Sequence, residues 1–358
     1  MKIVISGLGV MGASLALAIK NNLDDCELWG YDYPEVMAEA LQRGLIDRET
    51  GQWPEDCADA DIVFLATPIA VIRDHIKQLN GVVPAETVVT DLGSTKKEIE
   101  DYCRSISFSG CYTGGHPMTG AEKSGLDAAN PLLYENAVYI LTGSGMTPGA
   151  PVRTKLIPLL EKIKARVFLL SAADHDRVMA YISHLPQLIA IALVNTVGKC
   201  DDGELPFFEL AAGGFRDLTR IASSSISIWQ DILNSNQENV KEALELFITF
   251  LNEEKERLAS LEASFAAANR YRKQIPRQNK GFLSPLTDIM VYVDDRSGVI
   301  AKISNALFEH DIDIRDIELL KIREKEGGVF RLSFDSMEKA MRAIEVLEEY
   351  QFKAFVKE

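Results

Sequence analysis

Apolar and polar positions follow two rhythms over the first 171 residues. Short, nearly continuous apolar or β-branched runs fall at 2–6, 27–32, 61–67, 87–91, 137–142 and 166–171. Helical patterns lie between them, for example at 13–20, 34–43 and 95–103. Strands apolar on both faces and joined by helices predict an α/β domain, a parallel, doubly wound sheet covered on both sides.

From 172 to 269 the strand rhythm stops. Helical periodicity runs through 175–199, 207–210, 218–233 and 240–268, the last carrying Leu244, Phe247, Leu251, Leu258 and Leu261. Spacings of three, four and seven predict an all-α domain, and a helix of that length commonly serves a dimer interface. The polar pair Ser183-His184 ahead of Leu185-Pro186 is expected to break its helix. Residues 270–286 read as a basic linker, with Arg270, Arg272, Lys273, Arg277 and Lys280 and no acid. The remainder, 287–358, reads as strand 288–293, helix 297–310, strands 312–322 and 328–334, helix 336–350 and strand 352–356. That βαββαβ order is the ferredoxin-like plan.

The chain has 358 residues, enough for two or three domains. Its net charge of −15 argues against a general nucleic-acid or anionic-membrane binder, while leaving room for a small anionic substrate. No run reaches the roughly eighteen consecutive apolar residues of a membrane span. Residues 1–7 read as a strand entering a loop, not a signal peptide, and the expected location is the cytoplasm. Cys26, Cys57, Cys103, Cys111 and Cys200 are scattered and read as free thiols.

The first chemistry-bearing motif is Gly7-Leu8-Gly9-Val10-Met11-Gly12. It follows a strand, opens a helix, and is followed 20 residues after Gly12 by Asp32 at the end of the second strand. This is the Rossmann dinucleotide fingerprint: glycines for the turn and the close approach, a helix N-terminus for the pyrophosphate, an acid for the ribose. Asp32 would repel a 2′-phosphate and no arginine follows closely, so NAD is expected over NADP. Three further loops end strands of the same sheet: Ala66-Thr67-Pro68, 91–96 with Ser94, and 114–122 with His116. His116, set between glycines and a proline, suits a base on an alcohol that loses hydride, and Ser94 suits a hydrogen bond to that alcohol. The helical domain adds His184 and Arg220, a planar fork for a carboxylate. His75, His175 and His310 carry no partner motif and read as structural; no histidine has metal-ligand spacing, so no metal is expected.

Jointly these motifs resemble the prephenate dehydrogenase family. The resemblance rests on 7–12, Asp91-x-x-Ser94-x-Lys96, Gly115-His116-Pro117-Met118-x-Gly120-x-Glu122, Ser183-His184-Leu185-Pro186, and Gly214-Phe215-Arg216-Asp217-x-Thr219-Arg220 followed by Trp229. The tail resembles an ACT domain through residues 294–300 and Asn305. The resemblance implies a Rossmann NAD domain (1–171), a helical substrate and dimerisation domain (172–269) in a homodimer, and an ACT domain (287–358). It implies NAD-dependent oxidative decarboxylation of prephenate in tyrosine biosynthesis. His116 and Ser94 would be catalytic. Arg220, His184, Glu122, Asp217 and Trp229 would hold substrate. Gly7, Leu8, Gly9, Val10, Met11, Gly12, Asp32, Thr67 and Pro68 would hold NAD. Tyrosine would act as effector through Asp295, Ser297, Gly298, Val299 and Asn305. Arogenate dehydrogenase, 3-hydroxyacid dehydrogenase and a non-catalytic amino-acid sensor are the alternatives.

Overall fold

The apolar runs become strands because their side chains leave water on both faces of one sheet. Ile3, Ile5, Ile62, Phe64 and Val88 are fully buried, at about 1.5–3 kcal/mol each. In this computed structural model residues 1–120, 123–143, 147–275, 286–323 and 327–356 are described. They form two units, Met1–Ala259 and Ser260–Glu358.

The first unit opens with β1 (Lys2–Ser6), α1 (Val10–Asn22), β2 (Glu27–Tyr31), α2 (Pro34–Gln42), β3 (Arg48–Glu49) and β4 (Ile62–Leu65). It continues with α3 (Ile69–Leu79), β5 (Val88–Asp91), α4 (Lys97–Ser105), β6 (Cys111–Pro117), β7 (Val138–Thr142), α5 (Ile157–Lys162) and β8 (Arg166–Leu170). The eight-stranded sheet runs β3-β2-β1-β4-β5-β6-β7-β8. Strand order reverses at β1, which pairs in parallel with both β2 and β4. The carboxyl ends of β1, β4, β5 and β6 therefore share one edge, and a crevice at such a reversal is where α/β sheets bind ligands.

The sheet is mixed, not wholly parallel as expected: β6 and β7 pair antiparallel. β3 and β6 also escape the apolar rhythm. Gly114 and Gly115 carry no side chain for a pattern to register, yet they pair with Thr142 and Leu141, so His116 stands in a strand and not in a loop.

The helical part holds α6 (Ala172–Met179), a π-type turn (Ala180–His184), α7 (Leu185–Cys200), α8 (Gly213–Thr219), a 3₁₀ turn (Arg220–Ser223), α9 (Ile226–Ser235) and α10 (Gln237–Glu256). The expected break at Ser183-His184 is absent. Pro186 lacks an N–H, and a widened turn just before it lets the helix run on from Ala172 to Cys200. This 29-residue helix is, by length and composition, apolar enough to cross a membrane, unlike anything in the run-length reading. Its buried side packs Ala180 and Leu185 against Val240 and Ala243 of α10. Residues 207–210 form turns, not a helix, and 218–233 is interrupted where Ser225 caps α9. The single helix expected over 240–268 ends at Glu256; the apolar spacing continues, but the backbone leaves the helical conformation at Arg257.

The second unit contains α11 (Glu262–Arg272), β9 (Thr287–Val293), α12 (Val299–Glu309), β10 (Asp316–Arg323), β11 (Gly327–Phe334), α13 (Met337–Glu349) and β12 (Lys353–Val356). Its four strands are ordered β10-β11-β9-β12, all antiparallel. Ile289, Ile303, Leu332, Phe334 and Leu347 fill the core between this sheet and helices α12 and α13.

Candidate active site

The loop after β1 is shaped by its contacts. Gly7 has φ +91°, and a Cβ there would lie 2.7 Å from the carbonyl carbon of Ala66. A Cβ on Gly12 would meet the Gly7 carbonyl oxygen at 1.9 Å, so both positions exclude a side chain. Gly9 caps α1 and has nothing within 4 Å of its would-be Cβ. The N–H groups of the first turn of α1 open onto this space, and that turn carries no acid. The Asp32 carboxylate accepts from the Leu8 N–H at 2.6 Å and the Tyr33 N–H at 2.7 Å, which pins it beside the loop. Each oxygen keeps a lone pair for a ribose hydroxyl. Thr67, whose N–H borders Gly7, holds a buried hydroxyl without a hydrogen-bond partner among the described residues, and Pro68 caps α3. A cradle at a helix N-terminus with room at Gly9, a fixed acid and an orphaned hydroxyl fit a dinucleotide.

His116 lies near the carboxyl end of β6, half-buried and opposite Ile140. Beneath it Lys96 and Asp91 form a fully buried ion pair, and Lys96 Nζ also donates to the Gly115 carbonyl at 2.6 Å. A Cβ on Gly115 would meet the Asp91 carbonyl oxygen at 2.4 Å, which explains the small residue before His116. Burial holds the His116 imidazole well below its ordinary pKa, with His175, Lys96 and His184 adding to the effect. The ring is therefore neutral at physiological pH.

His116 Nδ1 meets His175 Nε2 at 2.7 Å, and His175 Nδ1 meets Asp176 Oδ1 at 2.7 Å. Neither His175 nor Asp176 was expected at the site. The available signal was local: Ser171 accepts from the Asp174 N–H and so starts α6, putting Asp174 and His175 in its first turn and Asp176 directly after it. Asn236 Nδ2 donates to the Asp176 main-chain carbonyl at 2.7 Å and lies 3.3 Å from His184 Nδ1. His184 is buried, its pKa pushed down to about 4 by desolvation, and packs edge-on against Trp229 with ring centroids 5.9 Å apart.

His116, His184 and Trp229 are thus joined through one buried network spanning both layers of the unit. Ser94 sits half-buried in the loop between β5 and α4. Arg220 is exposed on the 3₁₀ turn, which Gln187 ties to α7 through the Ile221 carbonyl at 2.9 Å. Asp217 is exposed on α8, and its carboxylate makes no hydrogen bond among the described residues. Glu122 lies outside the described residues. In the second unit Asp295, Gly298 and Val299 line a cleft of about 250 Å³; Ser297 and Asn305 are not among its lining residues. Among the described residues no His, Cys, Asp or Glu group is arranged to hold a metal.

A glycine loop, a fixed acid and a crevice at the strand-order reversal define a dinucleotide-dependent oxidoreductase of the Rossmann class. The family model for "Prephenate dehydrogenase, nucleotide-binding domain" matches residues 15–169, and that for "Prephenate dehydrogenase, dimerization domain" matches 171–267. The chain is 35% identical to prephenate dehydrogenase of Bacillus subtilis, over 98% of this chain and 97% of that relative. It is similar to a crystal structure of prephenate dehydrogenase from A. aeolicus in complex with hydroxyphenyl propionate and NAD⁺ (TM-score 0.70, 33% identity, 77% of this chain and 98% of that one). It is also similar to Synechocystis arogenate dehydrogenase (TM-score 0.68, 28% identity, 77% of this chain and 100% of that one). The chain belongs to the prephenate dehydrogenase family.

Proposed function

We propose that this chain oxidises and decarboxylates prephenate to 4-hydroxyphenylpyruvate with NAD⁺, in tyrosine biosynthesis. The observation that carries this reading is His116: a neutral imidazole on the same sheet edge as the nucleotide loop, joined through buried hydrogen bonds to His184 of the helical part. NAD⁺ on the 7–12 loop supplies the hydride acceptor. Asp32, Thr67 and Pro68 complete its site. His116 takes the proton of the substrate hydroxyl, and Ser94 hydrogen-bonds the same oxygen. Arg220 and His184 hold the anionic substrate, with Glu122, Asp217 and Trp229 shaping the pocket. Loss of carbon dioxide aromatises the ring, so the reaction runs essentially one way. The hydroxyphenyl propionate of the A. aeolicus complex has the carbon skeleton of this product, which supports the choice of substrate.

The active form is a homodimer built on the helical part. Phe207, Leu210, Leu246, Phe250 and Leu251 leave large apolar surface exposed there, and a patch of that kind marks an interface. Residues 287–358 are an ACT domain that binds tyrosine as feedback effector. The βαββαβ order, the β10-β11-β9-β12 sheet and the cleft at Asp295, Gly298 and Val299 support that reading.

The test is turnover of prephenate or arogenate with NAD⁺ or NADP⁺, with and without tyrosine. NADH from prephenate, inhibited by tyrosine, is expected. No NADH from prephenate overturns the main reading, and indifference to tyrosine overturns the effector. His116→Asn is expected to lower kcat by about 10²–10⁴.

A further inference from the structure

Three buried side chains outside the family motifs, His175, Asp176 and Asn236, link the two site histidines, His116 and His184, and their hydrogen bonds carry directional information. Asp176 Oδ1 accepts the Lys96 N–H at 2.8 Å and Oδ2 accepts the Lys97 N–H at 2.9 Å. Asp176 is 1% exposed, and a carboxylate bound by the N–H groups that open α4 is an acceptor only. The nitrogen facing it, His175 Nδ1, must therefore carry a proton. A neutral imidazole has one N–H, so His175 Nε2 is bare and must accept from His116 Nδ1. That leaves the lone pair of His116 on Nε2.

The second histidine is set the other way. The Asp176 main-chain carbonyl can only accept, so the Asn236 atom facing it is the amide nitrogen. Asn239 Nδ2 donating to Asn236 Oδ1 at 2.7 Å agrees with that orientation. The second N–H of the Asn236 amide points to His184 Nδ1, which must accept it, so the His184 proton sits on Nε2.

We propose that Asp176 and His175 are positioning residues that fix His116 with its lone pair on Nε2, and that Asn236 fixes His184 as an Nε2–H donor. One hub, Asp176, thereby sets a proton acceptor and a proton donor at the same site. The inference rests on His116 being the base of the reaction proposed above. As the substrate O–H bond breaks, its proton goes to His116 Nε2 and the electron pair stays on oxygen. The imidazolium so formed keeps its Nδ1–H on His175, whose Nδ1–H rests on the Asp176 carboxylate. The other charges at hand are Lys96 and Asp91, which neutralise each other and leave the Asp176 charge to the histidines. Burial keeps His175 and His184, like His116, in the neutral form this logic requires.

The chain has only five histidines, so nitrogen NMR of the histidine-labelled protein resolves the tautomers directly, assigned with single His→Gln variants. Without substrate at neutral pH, His116 is expected to be protonated on Nδ1 and His184 on Nε2. The reverse form at either residue overturns its assignment. His175→Phe removes the acceptor while filling the space. It is expected to lower kcat about 10–100-fold and to shift His116 toward the Nε2–H form, with KM for prephenate and NAD⁺ each changed less than about threefold. His175→Gln, which keeps an acceptor oxygen, recovers part of the loss. Unchanged kcat in His175→Phe, or equal loss in both variants, overturns the relay. If wild-type protein does not oxidise prephenate, the proposed reaction fails while the NMR result still judges the tautomers.

Discussion

Lys96 Nζ donates to the Gly115 carbonyl, 2.6 Å away, and so ties the loop after β5 to the strand that carries His116. The same ammonium is paired with Asp91, and neither side chain is exposed to solvent. A loop and a strand of the crevice are held in register by one buried cation.

Lys96→Met leaves Asp91 buried without its counter-charge. Breaking a buried pair from one side costs about 3–5 kcal/mol, and urea unfolding is expected to show a loss of that size. A loss under about 1 kcal/mol would mean that the pair does not hold the loop to the strand.

The glycines of the nucleotide loop separate into two kinds. Gly12→Ala drives a methyl into the Gly7 carbonyl and is expected to destabilise the fold by about 1–3 kcal/mol. Gly9→Ala meets no protein atom and is expected to cost less than about 1 kcal/mol, yet to weaken NAD⁺ at least about tenfold by filling the space at the helix N-terminus. Calorimetric titration beside thermal unfolding separates the two; NAD⁺ affinity unaffected by Gly9→Ala would remove the pyrophosphate from that spot.

His184 gives stability a pH dependence of defined sign. Its pKa falls from 6.5 in the unfolded chain to about 4 in the fold, because burial penalises the charge. Between those values the unfolded chain binds a proton that the fold refuses. Stability is therefore level for this group above 6.5 and falls as pH drops toward 4, by about 3 kcal/mol in all. Unfolding free energies across that range should be less steep in His184→Gln than in wild type; parallel curves would contradict the assignment.

The exposed apolar side chains of the helical part make a prediction about assembly. Leu210→Glu with Phe250→Glu places two charges on surface that a second copy would cover. Sedimentation is expected to show a dimer for wild type and a monomer for the pair; a dimer unaltered by both changes would put the interface elsewhere.

Much of the framework can be read from the chain itself. Apolar runs at 2–6, 87–91 and 137–142 mark strands because full burial demands side chains apolar on both faces. The same rule misses β6, where Gly114 and Gly115 have no side chain to pattern, and so sets His116 in a loop. It reads a break at His184, where the helix passes through on a widened turn.

The sequence by itself determines the nucleotide loop, since the positive φ of Gly7 and the contact of Gly12 with the Gly7 carbonyl are local backbone geometry, and Asp32 lies one strand away. It also supplies the histidines, with no statement of which nitrogen carries a proton. Only the tertiary structure decides that, because the deciding bonds join residues far apart in the chain: His116 to His175 across 59 positions, Lys96 to Asp176 across 80, Asn236 to Asp176 across 60. Such contacts leave no periodicity to read. They exist because buried polar groups must find partners, and the fold brings these within reach.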